Sequence, residues 1–206
     1  MTSSVARFRN ATIPEAVAPP ALRDELRSAT SKPHERLHRH EGLAAVAAGT
    51  IDRPAYVALV GRLYGFHHSF DLVARTIPER TRWLQIDLST LGVDPAKQAA
   101  LPRCTGFPAM VSPDYLLGAR YVVEGSALGG RGLARKLDGL FGAGIIAGRR
   151  FFSGHDTETG EVWRAYLAQL SAASTATATR AAIVAGAVET FTIFEQWLEG
   201  WNKNHE

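Results

Sequence analysis

His34, Glu35 and His38 form an H-E-x-x-H string inside the segment ATSKPHERLH. Four residues apart, the two imidazoles fall on one face of a helix, where they can share a metal ion while the carboxylate acts as general base toward bound water. A zinc-dependent hydrolase through His34-Glu35-His38 is therefore one reading. A catalytic zinc also needs a third protein ligand, and the H-x-x-G-x-x-H continuation is missing because Gly42 is out of step and no histidine follows it at the required interval. A solvated His/Glu/Arg helix face is the plain alternative.

A second stretch with chemical potential lies about ninety residues on, in Tyr121 to Gly130, YVVEGSALGG. Glycine costs about 1 kcal/mol relative to alanine inside a helix, so Gly118, Gly125, Gly129, Gly130 and Gly132 need a compensating reason to sit in one. Gly125 and Gly129 are four apart, where two missing side chains let a flat ligand reach the backbone and let the helix bend. Close packing of two helices through small residues explains the same glycines equally well. No strand precedes the motif and no Gly-Lys-Ser/Thr follows it, so it is a poor phosphate loop.

The elements that must position these residues read as helices. Apolar residues recur with a period of 3.6 after Pro20, and period-two alternation is scarce, so an all-α fold is expected. A helix over about 21–40 carries Leu22, Leu26, Ala29 and Leu37 on one side, and Pro33 predicts a kink or frayed turn beside His34. Thr50 is the expected cap of a long helix with Tyr56, Leu59, Val60, Leu63, Phe66, Phe70 and Val73 as its stripe. Short helices follow over Trp83 to Leu91 and after Asp94-Pro95. Ser112-Pro113 then starts the glycine-bearing helix, over about 113–137. Residues 139–155, with five glycines, read as broken helix plus loop. Two last helices, over about 160–171 and 178–199, are separated by the Ala/Ser/Thr run at 171–179, a connecting loop.

Composition narrows the classes. The 206 residues, 46% hydrophobic and 21% charged, suit one domain over 21–206 preceded by a flexible tail over 1–20. The net charge of +3 comes with dispersed arginines and no basic run, which argues against nucleic acid and is compatible with weak steering of an acidic electron-transfer partner. Cys104 is the only cysteine, so one chain can build neither a disulfide nor an iron–sulfur cluster. The first twenty residues lack a signal-like apolar run, and no segment approaches a membrane span; a cytoplasmic monomer is expected. Tandem His67-His68 reads as placing one ring in the core or at the surface, Phe191 and Phe194 as core or as contacts to a ligand edge, and Trp83, Trp163 and Trp197 as packing anchors.

Taken together, Ala29, Thr30 and His34 in ATSKPH, the segment LYGFHHSF at 63–70, and YVVEGSALGG resemble the haem oxygenase family over roughly residues 20–200. The likeness is greatest to the bacterial, biliverdin-forming branch often found beside bacteriophytochromes. The resemblance implies haem b, at once substrate and cofactor, held between a proximal and a distal helix and opened to biliverdin, iron and carbon monoxide. It implies oxygen and electrons from an external ferredoxin or flavin reductase, with a bacteriophytochrome as acceptor of the product. His34 would be the proximal axial ligand of the haem iron. Arg27 and Tyr121 would contact the propionates, Arg164 is a further candidate, and Gly125, Ser126, Gly129 and Gly130 would line the distal side. Two positions depart from the better-known animal pattern. Ser126 stands where those enzymes hold an aspartate that organises distal water, and His38 where a glutamate often orients the proximal histidine. Glu124 is a candidate to assist through water, with plain solvent exposure as the alternative. A non-degrading haem carrier or sensor on the same fold is the alternative function.

Overall fold

The computed structural model describes residues 21–109, 111–155, 158–173 and 176–201. Among them are ten helices and no strand, in agreement with the all-α expectation. The tail expected over 1–20 lies outside the described residues.

The first helix, α1 (Leu22–His38), buries Leu22, Leu26, Thr30, Pro33 and Leu37. It runs through Pro33 without fraying, contrary to expectation. Ala29, whose carbonyl loses its partner, is exposed, so water can replace the bond, while the proline ring is buried and packed. The Thr30 hydroxyl donates to the Leu26 carbonyl at 2.7 Å, adding a side-chain bond to the turn before the proline. A short α2 (Glu41–Ala48) ends on Gly49 in the left-handed region (φ 72°) and has no counterpart in the sequence expectation.

The long α3 (Arg53–Ala74) is capped by Asp52, whose carboxylate accepts from the Ala55 N–H at 2.8 Å, with proline in its first turn. Thr50, the expected cap, instead donates to the Ala45 carbonyl at the end of α2. The expected stripe is buried from Tyr56 to Phe70. Two shorter helices follow, α4 (Glu79–Thr90) and α5 (Pro95–Ala100), the latter capped by Asp94 on the Lys97 N–H.

The glycine-bearing helix, α6 (Pro113–Lys136), starts on Ser112 with Pro113 in its first turn and is unbroken. One-turn helices α7 (Asp138–Phe141) and α8 (Arg150–Ser153) flank a loop in which Gly142, Gly144 and Gly148 have positive φ. The chain ends with α9 (Thr159–Ala173) and α10 (Thr177–Leu198). Residues 171–173, expected in a loop, continue α9, and 174–175 lie outside the described residues.

Helix α10 is the central beam. Both α6 and α1 lie along it, and they share little direct contact with each other. Where α6 crosses α10, backbone meets backbone: a Cβ on Gly118 would fall 1.8 Å from the Ile183 carbonyl oxygen, and one on Gly186 would fall 2.2 Å from that of Tyr115. Helix α1 is pinned to α10 by burial and by ion pairs near both ends, Glu25 with Arg180 at 2.5 Å and Arg36 with Glu195. The main core gathers Leu26, Leu37, Tyr56, Leu59, Leu84, Leu137, Tyr166 and Ile183, and a smaller cluster surrounds Phe66 and Ile193. No helix among the described residues is long and apolar enough to cross a membrane.

His67 is 3% exposed, between the rings of Phe66 and Phe151, and its Nδ1 has no partner. Burial, reinforced by Arg80, pushes its pKa down to about 3. The unfolded chain then takes up a proton below pH ~6.5 that the folded chain refuses. This contribution to stability is complete above pH ~6.5 and declines as the pH falls toward 3, at up to about 1.4 kcal/mol per pH unit. Urea unfolding measured from pH 7.5 to 4.5 is expected to show that decline in the wild type and a flatter profile in His67→Phe; identical profiles would disprove it.

Candidate haem site

Two helical stripes define the site. On α1, Arg23, Arg27, His34 and His38 fall within about 60° of one another around the axis, and all four are exposed. On α6, Tyr121, Gly125, Leu128 and Gly132 form a matching stripe, with Gly129 at its edge. The stripes meet at Tyr121: burial raises its phenol pKa, and the charges of Arg23 and Arg27 act on it in the opposite direction. Arg27 precedes His34 by seven residues, about two turns or ~10 Å of helix. The basic end of the slot and the imidazole are thus set apart by helix geometry.

His34 lies edge-on to Phe191 of α10, ring centroids 6.1 Å apart, and edge-on to His38 at 4.5 Å. Desolvation on the Phe191 side and then the neighbouring His38 hold its pKa below the ordinary value, against the raising effect of Glu35. At neutral pH the ring is uncharged and able to bind a metal. Among the described residues no group of three or more histidine, cysteine, aspartate or glutamate side chains is gathered to hold a metal ion. The H-E-x-x-H string therefore lacks the third side-chain ligand that a zinc hydrolase needs.

The glycines of α6 divide by what lies opposite them. Gly118 meets α10, and a Cβ on Gly130 would stand 2.8 Å from the Phe152 carbonyl oxygen of α8, so both are close-packing positions. A Cβ on Gly125 would make ordinary contact with the Trp163 ring at 3.6 Å, and Gly129 and Gly132 face open space. Close packing thus accounts for Gly118 and Gly130, while Gly129 and Gly132 have no such partner. Trp163, expected as a packing anchor, also closes one side of the slot: its ring lies 5.6 Å from that of Tyr121 and stacks on Tyr166 at 5.4 Å.

Other candidates fall elsewhere. The Ser126 hydroxyl donates to the Val123 carbonyl of its own helix at 2.7 Å. Glu124 is not a solvent-exposed glutamate. Its side chain is 13% exposed and forms an ion pair with Arg80 at 2.7 Å, so its carboxylate ties α6 to α4. Arg164 is exposed, bonded to the Gly160 carbonyl and near Glu161; among the described residues no hydrogen bond or ion pair links it to Tyr121 or Arg27. His68 lines a surface pit of about 290 Å³ with Asp71, Thr81 and Gln85, apart from the two stripes.

Sequence reasoning missed the supports behind α6. Asp87 of α4, fully buried, accepts the N–H groups of Arg150 (2.7 Å) and Phe151 (2.9 Å), and so fixes the start of α8 beneath Gly130. Arg149, 4% exposed, donates to the Ala134 carbonyl near the end of α6, to Asp138 and to the Gly142 carbonyl. These are contacts between residues up to 64 apart, which no local pattern announces.

Comparisons with known proteins bear on the family and the fold. Residues 20–200 match the family model described as "Heme oxygenase". The chain belongs to the haem oxygenase family. Among solved structures it is similar to haem oxygenase-1 from the cyanobacterium Synechocystis in complex with haem, with a TM-score of 0.71 and 18% identity over 90% of this chain and 94% of that one. It is also similar to haem oxygenase from Leptospira interrogans (TM-score 0.70, 17% identity, 87% and 98% covered). A third likeness is to the NO- and CO-bound haem oxygenase of Neisseria meningitidis (TM-score 0.68, 21% identity, 88% and 92% covered). No curated protein matches the chain.

The division of glycines has a direct test. Gly129→Ala places a methyl group in open space and gains up to about 1 kcal/mol of helix propensity, so it should stabilise the haem-free protein. Gly118→Ala drives a methyl group into the α10 backbone and should destabilise by about 1–3 kcal/mol or more. Urea denaturation of both variants checks the pair; equal shifts would mean the two positions are not different in kind.

Proposed function

We propose that this chain is a haem oxygenase that opens haem to biliverdin, iron and carbon monoxide, using oxygen and electrons from an external donor. The observation that carries the reading is His34 exposed on one stripe of α1, beside an α6 stripe whose Gly129 and Gly132 face open space. The residues fit haem. His34 offers one imidazole, which would suffice for an iron already held by the macrocycle's own nitrogens. The open positions at Gly129 and Gly132, with Gly125 beside them, let a flat ring approach the α6 backbone. Haem, when bound, supplies both the iron that activates oxygen and the porphyrin carbon that is attacked.

The rest falls to this chain's own side chains. Arg27 and Tyr121 would take the anionic propionates at the basic end of the slot by charge-assisted and neutral hydrogen bonds, with Arg23 adding charge, and this fixes the in-plane rotation of the ring. Arg164 is assigned a weaker, outer role there. Trp163 and Phe191 would exclude water from the ring's edges. The glycine backbone of α6 would lie against the ring and favour attack at one meso carbon, with Ser126 one residue on from Gly125 on an adjoining face and Gly130 holding the helix down on α8. The Ser126 hydroxyl, with its proton committed to Val123, can accept but not donate a hydrogen bond. That observation favours a second reading, a non-degrading haem carrier on the same fold. We assign the chain to the biliverdin-forming bacterial branch, with a ferredoxin or flavin reductase as donor and a bacteriophytochrome as a recipient of the product, on the resemblance of ATSKPH, LYGFHHSF and YVVEGSALGG.

Haemin added to the purified protein should give a Soret band, and ascorbate or reduced ferredoxin in air should replace it with biliverdin absorbance. A Soret band that persists under those conditions establishes the carrier, and no haem binding at all defeats both readings. His34→Ala should lose the wild-type axial spectrum while remaining folded, since the side chain is exposed; an unchanged spectrum assigns the iron to another residue.

A further inference from the structure

We propose that His34 and His38 together form a chelating site for a divalent transition ion that prefers imidazole ligands, such as Ni²⁺, Cu²⁺ or Zn²⁺, and that an ion bound there excludes haem. The exclusion half rests on His34 as the iron ligand; the chelation half does not.

The geometry is that of a two-toothed ligand. The residues are four apart on one exposed face of a continuous helix, with ring centroids 4.5 Å apart at 74°. Neither ring is hydrogen-bonded among the described residues, so side-chain rotations can converge two nitrogens on one ion without breaking a hydrogen bond, although His34 then shifts against Phe191. Imidazole suits late first-row divalent ions, and a helix that carries both ligands has already lost the entropy of bringing them together. Glu35, close enough to act electrostatically on His34, supplies negative charge beside the ion. Arg36, the neighbouring cation, is engaged with Glu195 of α10. Water would complete the coordination, which makes this a binding site and not the three-ligand centre of a hydrolase.

A neutral imidazole has one free lone pair, its other nitrogen being protonated, so His34 cannot bind two metals at once. An ion drawn to the pair takes the His34 nitrogen that haem requires and leaves a solvated charge at the mouth of the slot. The reverse also holds, because haem on His34 reduces the pair to a single imidazole. Linkage then makes the two ligands mutually antagonistic by the same factor.

The test uses the full-length, haem-free protein and Ni²⁺ alone. Calorimetric titration should show one ion per chain, above a background from the five of seven histidines outside the pair, measured in the variant carrying both His34→Ala and His38→Ala. His34→Ala and His38→Ala should each weaken this binding by at least the roughly 10–100-fold that loss of even an outer-shell partner costs. Circular dichroism checks that both exposed substitutions leave the fold intact. A parallel haemin titration, read at the Soret band, should show lower apparent affinity with Ni²⁺ in the wild type and no Ni²⁺ effect in His38→Ala, which keeps His34. Wild-type Ni²⁺ affinity in His38→Ala overturns the chelate. Ni²⁺ bound to the pair with haem affinity unchanged overturns the exclusion. Haem binding retained in His34→Ala, alongside lost Ni²⁺ binding, overturns the assignment of His34 to the iron and leaves the chelate standing.

Discussion

The bare seam between α6 and α10 is the contact on which the candidate site depends. At Gly118 and Gly186 the two helices approach until neither can carry a Cβ, so their separation is set by backbone thickness and tolerates almost no adjustment. Helix α1 rests on the same beam through Leu22, Leu26, Pro33 and Leu37 and through ion pairs near both ends. Both walls of the slot are thereby referenced to one helix, while contact between the walls themselves stays sparse. A cleft between two directly packed helices would close by hydrophobic collapse. Here each wall buries its apolar stripe against a third helix, and the facing stripes carry arginine, histidine and glycine, which have little to gain from meeting.

Charge is arranged along the slot and not merely around it. Arg23 and Arg27 lie at the end where Tyr121 stands, and His34 lies two turns further on, uncharged because one edge is desolvated against Phe191. An anionic group and a metal could be held at the two ends without competing for the same residue. Glu124, the carboxylate nearest the glycines in sequence, is withdrawn from this field by its ion pair with Arg80. With side chains only about a tenth exposed on both sides, the pair holds α6 to α4, and breaking it would leave a poorly solvated charge.

How much of this was legible in the sequence depends on whether the cause was local. Asp94-Pro95 and Ser112-Pro113 announced their helices because a cap and a first-turn proline act within one turn. Residues 41–48 announced nothing, since Glu-Gly-Leu-Ala-Ala-Val-Ala-Ala has no side-chain cap, and its helix rests on packing of Gly42 against the distant Trp201. Thr50 and Asp52 both qualify as caps by type; the outcome turned on Thr50 being used by α2. The face of α1 that carries His34 was readable from spacing. The roles of the glycines were not, because Gly118 and Gly129 are the same residue in one helix and differ only in what stands opposite.

That difference bears on how α6 can be rigid and accessible at once. Five glycines among 24 residues would make an isolated helix fray, and propensity does not hold this one together. It is held at intervals along its length: by α10 at Gly118, by α8 at Gly130, and by Arg149 at the Ala134 carbonyl. Asp87 in turn fixes α8 through two backbone N–H groups, so the support under Gly130 is itself buried and hydrogen-bonded. Gly125, Gly129 and Gly132 fall between or opposite these anchors, where the helix has no side chains to fill its front. External packing supplies the order that the glycines lack: Gly118 is used against α10 two turns before Gly125 and on nearly the same face, while Gly130 and Ala134 are held on the opposite one. A helix of strong formers would need fewer supports, but its side chains would project where a flat ligand has to lie. The poor intrinsic propensity of α6 and the buried polar network behind it are therefore two parts of one structural solution.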